Sequence, residues 1–211
     1  MLVKSFVFNP IQVNTYLLYD ESKKCAIIDA GCLQDEEQAV LAAFIDDRQL
    51  QVECLLNTHL HFDHALGNAF VSEKYGVLPQ AHQADEFLIP DVQTHARMFG
   101  VNVSVKAQSL GGYLNDGDTI RFGNSELKAI HVPGHSPGSL CYYCKEAGLL
   151  FSGDVLFEES IGRTDLPKGS YSMLITGIAE KLFVLPNETV VYPGHDVSTT
   201  IGHEKQFNPY F

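Results

Sequence analysis

Apolar residues in the first thirty positions gather in short β-prone runs at 5–8, 13–19 and 25–28, separated by Asn9-Pro10 and by the polar stretch 20–24. Runs of that length between turn formers predict a strand meander. From 35 to 50 the period changes, and Val40, Leu41, Phe44 and Ile45 fall at helical spacing behind an acidic first turn. That pattern predicts an amphipathic helix laid on the meander. The apolar run 52–56 then reads as a buried strand. The later chain repeats the scheme, with strands predicted at 127–132, 140–143 and 149–151. A helix follows over 171–185, with Leu174, Ile178, Leu182 and Leu185 on one face, and then a strand at 189–192.

Strands with a covering helix in each half predict two β layers packed face to face with helices outside, a four-layer αββα sandwich of the α/β class. No low-complexity segment or Pro/Gly/Ser-rich linker divides the chain, so one domain spanning 1–211 is expected, built of similar halves at roughly 1–120 and 121–211. Between them, 80–115 is less regular: Pro90 interrupts a helical pattern that resumes over 94–99, and Gly111-Gly112 closes it. A lid or substrate-facing insertion and a plain connecting helix pair both fit that stretch.

Charge narrows the partners. Against 26 acidic residues stand 14 Lys and Arg, a formal charge of −12, which repels phosphate backbones and acidic membrane surfaces. No apolar run approaches the ~18 residues of a membrane helix. A small-molecule substrate is therefore expected, with no nucleic acid and no membrane, and the oligomeric state is left open. The first ten residues lack a signal-peptide pattern, which points to the cytoplasm. Five cysteines at irregular spacing (Cys25, Cys32, Cys54, Cys141, Cys144) read as reduced thiols rather than a disulfide framework. Cys141 and Cys144 form a C-x-x-C, but in a strand residues three apart face opposite ways, so two half-buried thiols are expected there.

The densest chemistry lies just after the strand 52–56. His59, His61, Asp63 and His64 place four potential ligands within six residues, and imidazole with carboxylate suits Zn, Fe or Mn. A lone histidine is ordinarily a satisfied core or surface residue, the reading adopted for His82, His95, His131 and His203. Two more histidines stand in matching settings: His135 follows Pro133-Gly134 and His195 follows Pro193-Gly194, each just past a strand. Pro-Gly sets a turn that aims the next side chain. Asp154 closes the strand 149–151 at its C-terminal end, where α/β folds place functional groups.

The ordered set H-x-H-x-D-H at 59–64, His135, Asp154 and His195, preceded by Asp29-Ala30-Gly31, resembles the metallo-β-lactamase superfamily. The resemblance implies that His59, His61 and His135 bind one divalent metal and that Asp63, His64 and His195 bind a second. Asp154 would bridge the two ions, and Asp29 would be a buried carboxylate behind the ligands. It implies two metal ions per chain, zinc first, with iron or manganese also suited. It also implies a bridging hydroxide, held between ions ~3.5–4 Å apart, that attacks a carbonyl, with Asp63 orienting it. A carboxylate at the bridging position and the complete H-x-H-x-D-H are similar to glyoxalase II, the hydroxyacylglutathione hydrolases, which cleave thioesters. Gly162-Arg163 matches a Gly-Lys or Gly-Arg pair that contacts glutathione there, making Arg163 the expected substrate-binding residue.

Two departures matter. Residues 164–167 lack the aromatic of true glyoxalase II, and only 16 residues follow His195, too few for that enzyme's C-terminal helical domain. The chain is thus similar to short single-domain bacterial glyoxalase II-like hydrolases. The expected activity is hydrolysis of a hydroxyacylglutathione-like thioester or a related small acyl ester. The alternative is a mononuclear iron persulfide dioxygenase. A flavodiiron oxidoreductase would need a flavin domain, an RNA nuclease a basic surface, and a structural zinc module closed cysteine-rich sites.

Overall fold

A computed structural model describes residues 1–101, 104 and 106–211. Positions 102, 103 and 105, inside the segment read as a lid or helix pair, lie outside the described residues. The strands in chain order are β1 (Leu2–Phe8), β2 (Val13–Tyr19), β3 (Lys24–Ile28), β4 (Gln51–Leu56), β5 (Pro79–Ala81), β6 (Gly112–Tyr113), β7 (Thr119–Phe122), β8 (Ser125–His131), β9 (Leu140–Cys144), β10 (Leu149–Gly153), β11 (Leu156–Phe157), β12 (Ser160–Ile161), β13 (Val190–Pro193) and β14 (Thr199–Thr200). The helices are α1 (Asp35–Asp47), α2 (Phe62–Ala65), α3 (Asn68–Tyr75), α4 (Val92–Met98), α5 (Tyr171–Gly177) and α6 (Ile201–Phe207).

Two six-stranded sheets result, ordered β1-β2-β3-β4-β5-β6 and β14-β13-β10-β9-β8-β7, with β11 and β12 as a separate hairpin. Leu18, Ile28 and Leu56 of the first sheet meet Phe122, Tyr142 and Phe151 of the second in the central core. The opposite face of the first sheet packs under Leu41 and Ile45 of α1. The opposite face of the second packs under Leu174 of α5 and Ile178 and Leu182 beyond it. This is the four-layer αββα sandwich expected from the sequence. No helix among the described residues is long and apolar enough to cross a membrane.

Helix α1 begins where the acidic turn predicts. Glu37 accepts from the backbone N–H of Leu33 at 2.6 Å and Gln34 at 3.1 Å, and also from Asn9 in the β1–β2 turn at 2.6 Å. The helix stops at Asp47, three residues before the expected end, because Gln49 takes a left-handed φ of 55° that turns the chain into β4. The helix expected over 171–185 is α5 followed by a π-helical turn, Ile178–Leu182. The change of register keeps Leu174, Ile178 and Leu182 buried together. Strands β5, β6, β7 and β14, the β11–β12 hairpin and helix α6 carry no periodic signal that sequence reasoning used. The first two and β14 have only two or three residues and pair through tertiary contact. Cys141 and Cys144 do face opposite cores, but both thiols are fully buried rather than half-buried, since β9 is covered on both sides.

Candidate active site

Strand β4 runs between β3 and β5, both parallel to it, and ends in the ligand-rich loop. Asn57 holds the start of that loop. Its N–H donates to Gln80 O at 2.9 Å, its amide donates to His64 O at 2.9 Å, and its own carbonyl accepts from the Tyr142 hydroxyl of the facing sheet at 2.7 Å. The chain then passes His59 and His61 and turns into α2, which carries Asp63 and His64. The loop after β8 brings His135, the end of β10 brings Asp154, and the turn after β13 brings His195. Asn14 of β2 clamps that last turn, its amide donating to Pro193 O at 3.0 Å and its N–H to Gly194 O at 2.7 Å. Gly194 is required by close approach, because a Cβ there would stand 2.2 Å from Asp154 Oδ1.

All seven side chains converge. His59 Nε2 lies 3.2 Å from His135 Nε2, and His61 Nδ1 lies 2.8 Å from the same atom. Nearby, His195 Nε2 is 3.2 Å and His64 Nε2 3.6 Å from Asp63 Oδ2. Asp154 stands between the two groups, with Oδ1 3.4 Å from His64 Nε2 and Oδ2 3.5 Å from His135 and 3.7 Å from His195. Three sets have the mutual spacing of metal ligands: His59, His61 and His135; His59, His64 and Asp154; Asp63, His64 and His195.

The hydrogen bonds behind the cluster show why cations fit. His135 Nδ1 faces Arg163 O at 2.9 Å and His195 Nδ1 faces Gln12 O at 3.2 Å. A carbonyl only accepts, so both protons sit on Nδ1 and both Nε2 lone pairs point inward. Asp29 Oδ2 accepts from His64 Nδ1 at 2.9 Å and from the Thr58 hydroxyl at 2.6 Å. With its own proton spent on Asp29, the Thr58 oxygen takes the His59 Nδ1–H at 3.1 Å. Asp29 thus lies behind the cluster, not in it. His64 Nε2 and Asp154 Oδ1 are buried and make no hydrogen bond, the condition of groups meant for a cation. Burial alone would lower the His64 pKa, yet Asp154, Asp63 and Asp29 outweigh it and hold it well above the ordinary value. Burial also works against ionised Asp154, but His64 and its neighbours keep that carboxyl well below the usual range. Burial and His135 push His61 down to about 3, leaving it neutral and free to ligate. The field at the cluster calls for positive charge.

The cluster opens into a cavity of about 370 Å³, whose walls include Arg163, His95, Met98 and Phe99. A larger groove, about 760 Å³, lies against β7 and β8 and contains none of the seven residues. His95, read from sequence as an ordinary core or surface residue, is half-buried and lines the cavity. His82 and His131 stack face to face at 4.0 Å, and His203 pairs with Glu159. Arg163 lines the cavity, but its guanidinium forms a bidentate pair with Asp165 at 2.7 Å to each oxygen. One residue was missed. Asp85, fully buried, accepts from Leu60 N at 3.2 Å, the Ser136 hydroxyl at 2.7 Å and Gly138 N at 2.6 Å. It therefore ties the loop of His59 and His61 to the loop of His135. Its only sequence signal is a carboxylate just ahead of the apolar run 87–89.

The metallo-beta-lactamase superfamily profile matches residues 8–195. The chain belongs to the metallo-β-lactamase superfamily. Within it, the chain is 34% identical to hydroxyacylglutathione hydrolase GloC of Haemophilus influenzae over 94% of this chain and 92% of that one. The crystal structure of BLEG-1, a B3 metallo-beta-lactamase, superposes with a TM-score of 0.89 at 34% identity, covering 99% of each chain. TTHA1623, solved in a di-iron-bound form, gives 0.85 at 33% identity over 100% of both chains. Family, cluster and fold together make this a metal-dependent hydrolase with a His/Asp metal site.

Proposed function

We propose that the chain is a dinuclear hydrolase cleaving a thioester or a related small acyl ester. His59, His61 and His135 would hold one divalent ion, Asp63, His64 and His195 the other, with Asp154 shared. The observation that carries two ions is that the cluster divides into two ligand sets with no residue in common, His59, His61 and His135 and then Asp63, His64 and His195, with the buried His64 Nε2 and Asp154 Oδ1 left without a hydrogen bond between them. Divalent ions bound there would bring the pKa of water toward ~7 and polarise a carbonyl. Asp63 lines the cavity and would accept a hydrogen bond from the attacking water, turning the water's lone pair toward the substrate carbonyl. The imidazoles of His59, His64, His135 and His195, each with its Nδ1 held by an acceptor behind the cluster, keep that geometry without rearrangement. Zinc is the first candidate; iron is supported by the di-iron form of TTHA1623. GloC's printed activity supports the thioester.

Elemental mass spectrometry on freshly purified protein, beside hydrolysis of S-lactoylglutathione and of a short uncharged thioester, tests this reading. Two metals per chain with thioester turnover are expected. One iron per chain, no turnover and oxygen uptake with glutathione persulfide would replace the hydrolase with the dioxygenase.

A further inference from the structure

The cavity turns apolar as it leaves the ligand cluster. Met98 and Phe99 from the end of α4, Leu88 from the turn before it, Ile11 from the β1–β2 turn, and Leu166 and Pro167 from the loop after β12 form its outer wall. Met98 is 76% exposed and Phe99 49%, large apolar groups left in water beside a polar site, which folding alone does not reward. They are held in place. Helix α4 docks through Val92 and Ala96 against Phe62 and Leu66, and the Phe99 ring packs on Phe62 at 5.3 Å. Phe62 lies between His61 and Asp63, so the wall is anchored in the ligand loop itself.

Among the described residues the wall gives an anionic substrate little counter-charge, one imidazole and one guanidinium, His95 and Arg163. Among the described lining residues Arg163 is the one Lys or Arg, and its charge is already partnered by Asp165, which takes Nε–H and one Nη2–H. Lys168, the next cation along that loop, lies over the Phe87 ring at 3.6 Å. A glutathione conjugate would bring its two carboxylates to an already paired guanidinium, one imidazole and an otherwise apolar surface.

We propose that the site takes a substrate whose arm beyond the scissile carbonyl is apolar and uncharged. The class is a medium-chain acyl thioester or ester of a small neutral thiol or alcohol, its chain lying on Met98, Phe99 and Leu166. The scissile bond in this proposal rests on the hydrolase reading above; the apolar arm rests on the wall alone.

Two thioethers that cannot be hydrolysed separate the parts: S-hexyl-N-acetylcysteamine and S-methylglutathione, titrated calorimetrically into the full metal-loaded chain. At ~0.8 kcal/mol per buried methylene, the hexyl compound is expected to bind at least about tenfold tighter. The Met98→Ser/Phe99→Ser double variant is expected to remove most of that preference while metal content and circular dichroism stay the same. Equal or tighter binding of S-methylglutathione, or a hexyl preference that survives the double variant, would overturn the proposal. A chain that keeps the hexyl preference and hydrolyses no thioester sinks the hydrolase reading and leaves the apolar site standing.

Discussion

Asp63 and Asp85 show how two buried aspartates divide the work of one site. Asp63 faces His64 and His195 and reaches the cavity, so its replacement strikes the chemistry. Asp63→Asn keeps the size and is expected to lower kcat by about 10²–10⁴ with the fold intact; near-normal turnover would remove Asp63 from its role. Asp85 touches no substrate and acts through the loops it joins. An asparagine there can still accept from Gly138 N, but its amide would oppose the Leu60 N–H. Asp85→Asn is therefore expected to cost roughly 10–100-fold in metal affinity, read as metal content after dialysis, with KM moved less than kcat. Sequence reasoning found the seven converging residues because their spacing is dense and their types are those of ligands. Asp85 escaped it because its value lies in three donors from two other loops, which no local pattern displays.

Among the elements, α1 and the His82–His131 stack make separate predictions. Glu37 collects three backbone N–H groups from the helix start and the β1–β2 turn. Glu37→Ala is expected to cost about 1–3 kcal/mol in urea unfolding, Glu37→Gln less. His82 accepts from Ala84 N at 3.1 Å through its unprotonated Nδ1 and stacks on His131. Burial, then His131, lowers its pKa in the fold. A histidine whose pKa is lower folded than unfolded costs stability once the unfolded form begins to protonate. The fold should weaken as pH drops below the ordinary value of 6.5. His82→Gln is expected to flatten the fall of the thermal midpoint between pH 7 and pH 5, and an unchanged slope would assign the acid sensitivity elsewhere. Helical and long strand elements were legible because their apolar periods are long. The two- and three-residue strands were not, since they exist only where a neighbour supplies the hydrogen bonds.

At the scale of the molecule, the site is a seam between the two sheets. Tyr16 of the first sheet donates to Pro193 O at 2.6 Å and packs on Phe151 of the second at 5.2 Å, while Leu140 N donates to Thr58 O at 2.7 Å across the same gap. Ions bound there would stabilise the folded state over the unfolded one, so chelation is expected to lower the thermal midpoint, by an amount that follows the logarithm of free metal over its Kd, with readdition of metal restoring it. From the sequence alone came the fold class, the ligand types and their order along the chain, because alternation, helical period and motif spacing are local properties. The tertiary structure alone decided which loops Asp85 would tie, that Arg163 would pair with Asp165, and that Met98 and Phe99 would border the cavity at the His/Asp cluster. Those are facts about approach between segments far apart in the chain, and only the packed fold sets them.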